Sequence, residues 1–109
     1  MTRADDIDEV DPEDVLLTEG TLGYNILVCG EHVGAIEGYP GHLEYIEIEM
    51  RWEGKGVARC ALRKLIELSR LHGESTLETN NAVHPAMEHI LETEGFEEDS
   101  DGVGWVKEL

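Results

Sequence analysis

The chain has 109 residues and a formal net charge of −17, from 25 acidic and 8 basic side chains. This length fits one small domain with a single core. The sequence has no signal-peptide core and no run of the ~20 apolar residues that a transmembrane helix needs, which predicts a cytoplasmic protein with no membrane partner. Because phosphate backbones bind to broad basic faces, free DNA and RNA are excluded as partners.

The acidic excess predicts adaptation to high salt. Like charges at this density repel one another and oppose the compact state. At about 1 M salt the Debye length falls to about 3 Å, so this repulsion is screened. The alternative is an acidic surface that binds a cationic partner.

Residues 1–20 are polar and acidic and show no apolar periodicity. Such a segment is typical of a mobile N-terminal arm or a weakly docked edge. The folded domain is therefore predicted to occupy residues 21–109.

Three strand candidates come next in the chain. YNILVC (24–29) favours a strand, and GEH is a short hairpin connection into VGAIEG (33–38). HLEYIEIEM (42–50) alternates with the two-residue period of a strand. On strict alternation, one face of this strand carries His42, Glu44, Ile46, Ile48 and Met50.

Helical periodicity begins after the glycine-containing turn at residues 54–56, and Gly73 is a natural helix stop. STLET (75–79) predicts a short strand, and HPAMEHILETEG predicts a second helix that ends at Gly95. FEED and VGWVKEL predict a closing hairpin. The predicted fold class is α/β, of the α+β type, with the order β-β-β-α-β-α-β-β.

The stretch RWEGKGVARCALRK (51–64) holds five of the eight basic residues and one acid, so it is locally +4 and leaves −21 for the rest. Glycines at a strand-to-helix turn let backbone N–H groups approach an anion, and the helix N-terminus adds about half a positive charge. Arg59 and Arg63, one turn apart, and Lys55 can reach further phosphates. The stretch predicts a phosphate-binding turn. The alternative is an ordinary helix with a basic solvent face.

The run IEIEMRWEGKGVARCALRKLIELSRLHG…LETNNAVHPAMEHILETEGFEE resembles the core of the GNAT N-acetyltransferases, which transfer acetyl from acetyl-CoA to an amine. The family's turn signature is Gln or Arg, two residues, Gly, one residue, then Gly or Ala, and it aligns with residues 53–58. ETEGF (92–96) resembles the family's EKLGF. Over residues 24–109, the resemblance implies a mixed, mostly antiparallel sheet with helices packed on it.

The resemblance also implies acetyl-CoA as co-substrate and assigns residues that bind it. A backbone N–H near the end of the strand would donate to the oxyanion. The implied binding residues are Ile48, Met50, Arg51, Gly54, Lys55, Gly56, Val57, Ala58, Arg59 and Asn81.

The sequence departs from the family pattern at several positions. Glu53 stands where the family has Gln or Arg, although Arg51-x-x-Gly54-x-Gly56 fits the same pattern in a shifted register. Leu91 stands in place of the family's tyrosine that protonates the leaving thiolate. The family's N-terminal strand and two helices are expected to be missing. The acceptor pocket is then either open or completed by another subunit, as in a homodimer.

Acetyl transfer to an amine requires removal of a proton, because an alkylammonium is protonated near pH 7. The family often places a histidine or glutamate on the strand before the turn. We therefore predict His42 and Glu44 as the base pair; the alternative is that both are exposed polar residues. The acid for the thiolate is unassigned between His84 and His89. No metal is predicted, because His84 and Glu88 have no third ligand at a matching spacing.

The first functional hypothesis is an acetyl-CoA-dependent N-acetyltransferase acting on a primary amine of a small molecule or a protein. The second is a catalytically inactive module that binds CoA or acyl-CoA. The third is an interaction domain that presents its acidic face to a cationic protein. The basic stretch favours the first two over the third, and turnover separates the first from the second.

The acidic excess should make the stability of the protein depend on salt. The melting temperature should rise from low to molar KCl, because screening weakens the repulsion among the acidic side chains. Thermal scans across that range measure it. A melting temperature that stays flat or falls would indicate that the acidity serves a partner instead.

Overall fold

A computed structural model describes residues 7–79, 85–99 and 104–109. Neither of its two α-helices is long and apolar enough to cross a membrane, among the residues described. The helices are α1 (Val57–Leu71) and α2 (Pro85–Thr93). The strands are β1 (Val15–Glu19), β2 (Gly23–Val28), β3 (Glu31–Tyr39), β4 (His42–Ile48), β5 (Thr76–Thr79), β6 (Glu97–Glu98) and β7 (Trp105–Glu108).

The described strands form one sheet in the order β1-β2-β3-β4-β5-β7-β6. All neighbours pair antiparallel except β4 and β5, which are parallel. Parallel neighbours cannot be joined by a tight turn, and α1 makes the crossover between them. The predicted α+β class and the mixed, mostly antiparallel sheet are confirmed, with one more strand at the N-terminus than predicted.

Of the two readings of residues 1–20, a mobile arm or a docked edge, residues 15–19 follow the second. This segment is the edge strand β1, antiparallel to β2 from Val15↔Val28 to Glu19↔Tyr24. The side chain of Val15 is buried in the core, as is that of Val10. The expectation that the N-terminal strand is missing is therefore wrong. VLLTE lies among acidic residues, and its pairing partners come later in the chain, so local composition did not indicate a strand.

The segment before β1 is also attached to the domain. The Val10 N–H donates to the Lys55 carbonyl at 2.8 Å, and Lys55 Nζ donates to the Ile7 carbonyl at 2.7 Å. These two bonds hold residues 7–10 against the glycine-containing turn. Residues 1–6 lie outside the described part of the chain.

The core lies between α1 and one face of the sheet. α1 buries the side of the helix that its apolar periodicity predicted, including Val57, Leu62 and Leu65. These side chains pack with Ile26 and Ile36 from the central strands. The packing fixes the N-terminus of α1 beside the end of β4, which is what positions the candidate site.

Candidate functional site

The sheet opens between β4 and β5. The two strands pair at only two described positions, His42↔Glu78 and Leu43↔Thr79. β4 then continues to Ile48, whereas β5 ends at Thr79. Beyond Leu43, the edge of β4 therefore has no ladder partner from the described residues of β5.

A cavity of about 830 Å³ lies at this opening. Its walls come from β4, from the turn that follows β4, from the first turn of α1 and from α2. It is open to solvent along one side, and it combines apolar side chains with acidic ones. The lining residues are Leu43, Glu44, Tyr45, Ile46, Glu47, Ile48, Trp52, Glu53, Gly54, Gly56, Val57, Ala58, Arg59, Thr79, Met87, His89 and Ile90.

The free edge of β4 offers backbone donors to the cavity. The Glu49 N–H donates to the Val33 carbonyl of β3 at 2.8 Å. N–H groups along a strand point alternately to its two sides. The N–H groups of Ile48 and Ile46 therefore point away from β3, toward the opening.

The glycine-containing turn supplies a second set of donors. Gly54 and Gly56 have φ angles of 75° and 83°, a left-handed region that other residues adopt at a cost. Gly56 is the N-cap of α1, and it offers no side chain to cap the helix. The first N–H groups of a helix lack intrahelical acceptors and carry the positive end of its dipole. The turn therefore presents an anion-binding surface to the cavity.

The structure brings six of the ten predicted cofactor-binding residues to the cavity wall, and they are Ile48, Gly54, Gly56, Val57, Ala58 and Arg59. Met50 is 85% exposed and lies outside this wall. Arg51 also lies outside it, 3.4 Å from Glu49 and 3.6 Å from Glu31. Lys55 points to the N-terminal segment. Asn81 lies outside the described residues.

The two arginines predicted to reach phosphates bind a carboxylate of the chain itself. Arg59 Nη1 donates to Thr93 Oγ1 at 2.6 Å and to Glu94 Oε2 at 2.7 Å. Arg63 donates to both oxygens of Glu94, through Nε at 2.6 Å and Nη2 at 3.0 Å. The basic face of α1 thus joins α1 to the end of α2, a role that the spacing of the arginines alone did not indicate.

The same contacts change the acidity of Glu94. The hydrogen bond from Arg63 lowers the pKa of the Glu94 carboxyl, against the opposing effect of burial, and Arg59 lowers it further. The side chain of Glu94 is only 9% exposed. A carboxylate so placed stays charged and keeps both guanidinium groups near α2.

The predicted base pair is in contact. His42 Nε2 lies 2.7 Å from Glu44 Oε1, and the His42 ring stacks on Tyr39 with centroids 5.2 Å apart. Glu44 lines the cavity, whereas His42 does not. The His42 side chain is 18% exposed and that of Glu44 is 51% exposed. Glu44 can therefore meet a substrate, and His42 can orient it.

A β-bulge explains how β4 presents these residues. Glu37 pairs with Tyr45 and Gly38 pairs with Leu43, so Glu44 is the extra residue on β4. A bulge shifts the alternation of side chains along the strand. The prediction that His42 and Glu44 share the face of Ile46 and Ile48 is therefore wrong: Leu43 joins the isoleucines on the core face.

Trp52 lines the cavity, although a tryptophan is more typical of packing than of ligand binding. It is 1% exposed, and its indole N–H is buried without a hydrogen-bond partner in the described structure. A buried donor left unpaired costs about 1–3 kcal/mol. Trp52 lies two residues before Gly54, and this position was the sequence signal for a role near the turn. That its indole N–H has no hydrogen-bond partner is visible only in the fold.

The lining fits an elongated ligand that carries carbonyls and phosphates. The apolar side chains of Ile46, Met87 and Ile90 suit an alkyl chain, and the Ile48 N–H suits its carbonyls. The start of α1 suits phosphates. Among the described residues, no group of three or more His, Cys, Asp or Glu could hold a metal ion.

Comparison with solved structures identifies the fold. A protein from Rhodopseudomonas palustris described as "GCN5-Related N-acetyltransferase: Aminotransferase, Class-II" superposes with a TM-score of 0.66 at 16% identity, over 89% of this chain and 63% of that one. An acetyltransferase from Thermus thermophilus gives 0.62 at 20% identity, over 79% and 62%. An "IAA acetyltransferase" from Bacillus cereus gives 0.63 at 19%, over 89% and 79%.

The chain therefore has the fold of the GCN5-related N-acetyltransferases. It spans 63% and 62% of the length of the first two of these proteins. No protein-family model and no curated protein sequence matches it.

The contacts of Glu94 give a testable prediction. Because the hydrogen bond from Arg63 is the largest cause of the lowered pKa, Arg63→Gln should raise the pKa of Glu94 toward its ordinary value. The stability that the charged carboxylate contributes is present above its unfolded pKa and is lost as pH falls through the folded one. Carboxyl NMR titration of the parent and the variant measures the shift, with Lys64→Gln as the control. An unchanged titration midpoint in Arg63→Gln would contradict the assignment.

Proposed function

We propose that the protein is an acetyl-CoA-dependent N-acetyltransferase that acts on a primary amine of a small molecule or a protein. The observation that carries the proposal is the cavity at the divergence of β4 and β5, beside the uncapped N-terminus of α1. The acetyltransferase fold supports acyl transfer as the reaction class. The acetyl donor and the amine acceptor are part of the proposal.

The chain's backbone does most of the proposed work of binding. The N–H groups at the start of α1 hold the pyrophosphate of acetyl-CoA, and left-handed Gly54 and Gly56 shape the turn that presents them. The Ile48 N–H donates to the thioester oxygen.

Glu44 is the proposed base. The amine nitrogen must lose a proton to attack the thioester carbonyl carbon, and Glu44 is the member of the His42–Glu44 pair that lines the cavity. A C–N bond then forms, the C–S bond breaks, and the thiolate takes up a proton. A backbone N–H at Ile48 stabilises the negative charge on the oxygen during attack.

His89 is the proposed donor of the proton to the thiolate. It lines the cavity from α2, whereas Leu91, where the resemblance expects a tyrosine, is fully buried. His84 lies outside the described residues. A thiol has a pKa near ~8.5, so its thiolate needs little assistance to depart.

The buried Leu91 also supports the second candidate, a module that binds acyl-CoA without turning it over. Detection of thiol release from acetyl-CoA with an amine panel in high salt separates the two functions. Completion of the acceptor side by a second subunit stays a prediction, to be tested by the molar mass in solution.

Gly56→Glu tests the binding surface. A side chain here adds bulk and negative charge beside the first turn of α1, so we expect it to abolish CoA binding by calorimetry. Gly73→Glu is the matched control, because Gly73 has a similar φ of 78°, open space around it and a place at the other end of α1. It should bind CoA like the parent. Equal affinity in the Gly56 variant would remove the phosphate assignment.

His42→Ala with Glu44→Gln tests the base. Turnover should fall by ~10²–10⁴, the usual contribution of general acid–base catalysis, with CoA affinity unchanged. The ascending limb of the pH–rate profile should also be lost. His32→Ala with Glu37→Gln is the control, since both residues are exposed on β3 and neither lines the cavity. If the first pair keeps full turnover, the base lies elsewhere.

A further inference from the structure

The cavity has an unusual balance of charge for a ligand with phosphates. Three carboxylates line it, those of Glu44, Glu47 and Glu53. Arg59 is the only arginine or lysine among the described lining residues. Arg59 is therefore the permanent side-chain cation that can attract phosphate at the described cavity wall.

Arg59 is already paired with an anion of the chain, which reduces its attraction for a second anion. Its Nη1 group is 2.7 Å from Glu94 Oε2 and 2.6 Å from Thr93 Oγ1, both at the end of α2. The Arg59 side chain is 28% exposed and that of Glu94 is 9% exposed, so solvent screens this pair less than a surface pair. Glu94 therefore occupies a donor group of Arg59 from which a phosphate oxygen could otherwise accept a hydrogen bond.

We propose that Glu94 is an internal anion that competes with the phosphates of the ligand for Arg59, and so sets the affinity of the cavity for CoA. The inference rests on the proposed function, because CoA supplies the phosphates. Arg63 holds the Glu94 carboxylate in place through two hydrogen bonds. Binding of CoA then weakens the contact between Arg59 and α2, and the position of α2 depends on the ligand.

Glu94→Gln distinguishes this proposal from a purely structural role of Glu94, because the two predict opposite changes in CoA affinity. Removal of the carboxylate frees the charge of Arg59, so CoA should bind roughly three- to tenfold more tightly at low salt. The melting temperature should fall, because two arginines lose their counterion. A residue that only stabilised the site would weaken CoA binding when changed. Calorimetry with CoA and thermal scans give both readouts.

Control variants separate the specific effect of the Arg59–Glu94 contact from the effect of removing any one negative charge. Glu92→Gln removes an exposed carboxylate from the same helix and should leave CoA affinity near that of the parent. With Arg59→Gln already present, Glu94→Gln should produce little gain; with Arg63→Gln present, most of the gain should remain. If Glu94→Gln does not fold, Thr93→Val removes one partner of Arg59 and should tighten binding to a smaller extent.

The outcomes are distinguishable. Tighter binding in Glu94→Gln that depends on Arg59 supports the proposal. A parent that binds CoA and a variant that binds it equally or more weakly overturn the competition but keep the proposed function. A parent that binds no CoA overturns both.

Discussion

The site depends on one constraint of the sheet, the short pairing between β4 and β5. Two described register positions hold these parallel strands together, and β4 continues beyond them. A longer ladder would satisfy the Ile46 and Ile48 N–H groups with β5 and close the cavity. Because backbone groups that are left unpaired must find another partner, the opening favours a ligand that can hydrogen-bond like a strand. The crossover through α1 places a helix N-terminus at the same opening, so a strand edge and a helix dipole converge there.

The basic stretch that stood out in the sequence serves the fold as well as the cavity. Arg59 and Arg63 reach across to Glu94, Arg51 lies near two glutamates of neighbouring segments, and Lys55 binds the Ile7 carbonyl. In a chain with a net charge of −17, cations placed between elements offset repulsion where elements must approach. Arg59 and Arg63 lie on α1, which contacts both the sheet and α2, and Arg51 and Lys55 lie in the segment just before it.

The sequence predicted those features that depend on local periodicity, and the resemblance predicted the sheet. The buried face of α1, the glycine-containing turn and the three strands after residue 20 were visible because their residues are close in the chain. β1 was missed because its three apolar residues form a contiguous run inside a strongly acidic segment, without the two-residue alternation that indicates a strand. The bulge at Glu44 was missed because register is set between strands, and it moved His42 and Glu44 off the face expected for them. The contacts of Glu94 span 31 and 35 residues, a distance over which no single-sequence pattern selects a partner.

The division between backbone and side-chain donors explains how an acidic protein could bind a polyanion. Side-chain cations are few here, and the one that lines the described cavity wall is matched by Glu94. Backbone N–H groups add no net charge, cannot be neutralised by nearby carboxylates in the way that a guanidinium can, and act at hydrogen-bond distance, where salt screens least. Anion recognition by the turn and by the start of α1 is therefore compatible with an acidic surface and with high ionic strength. The arginines then adjust an affinity that the backbone provides.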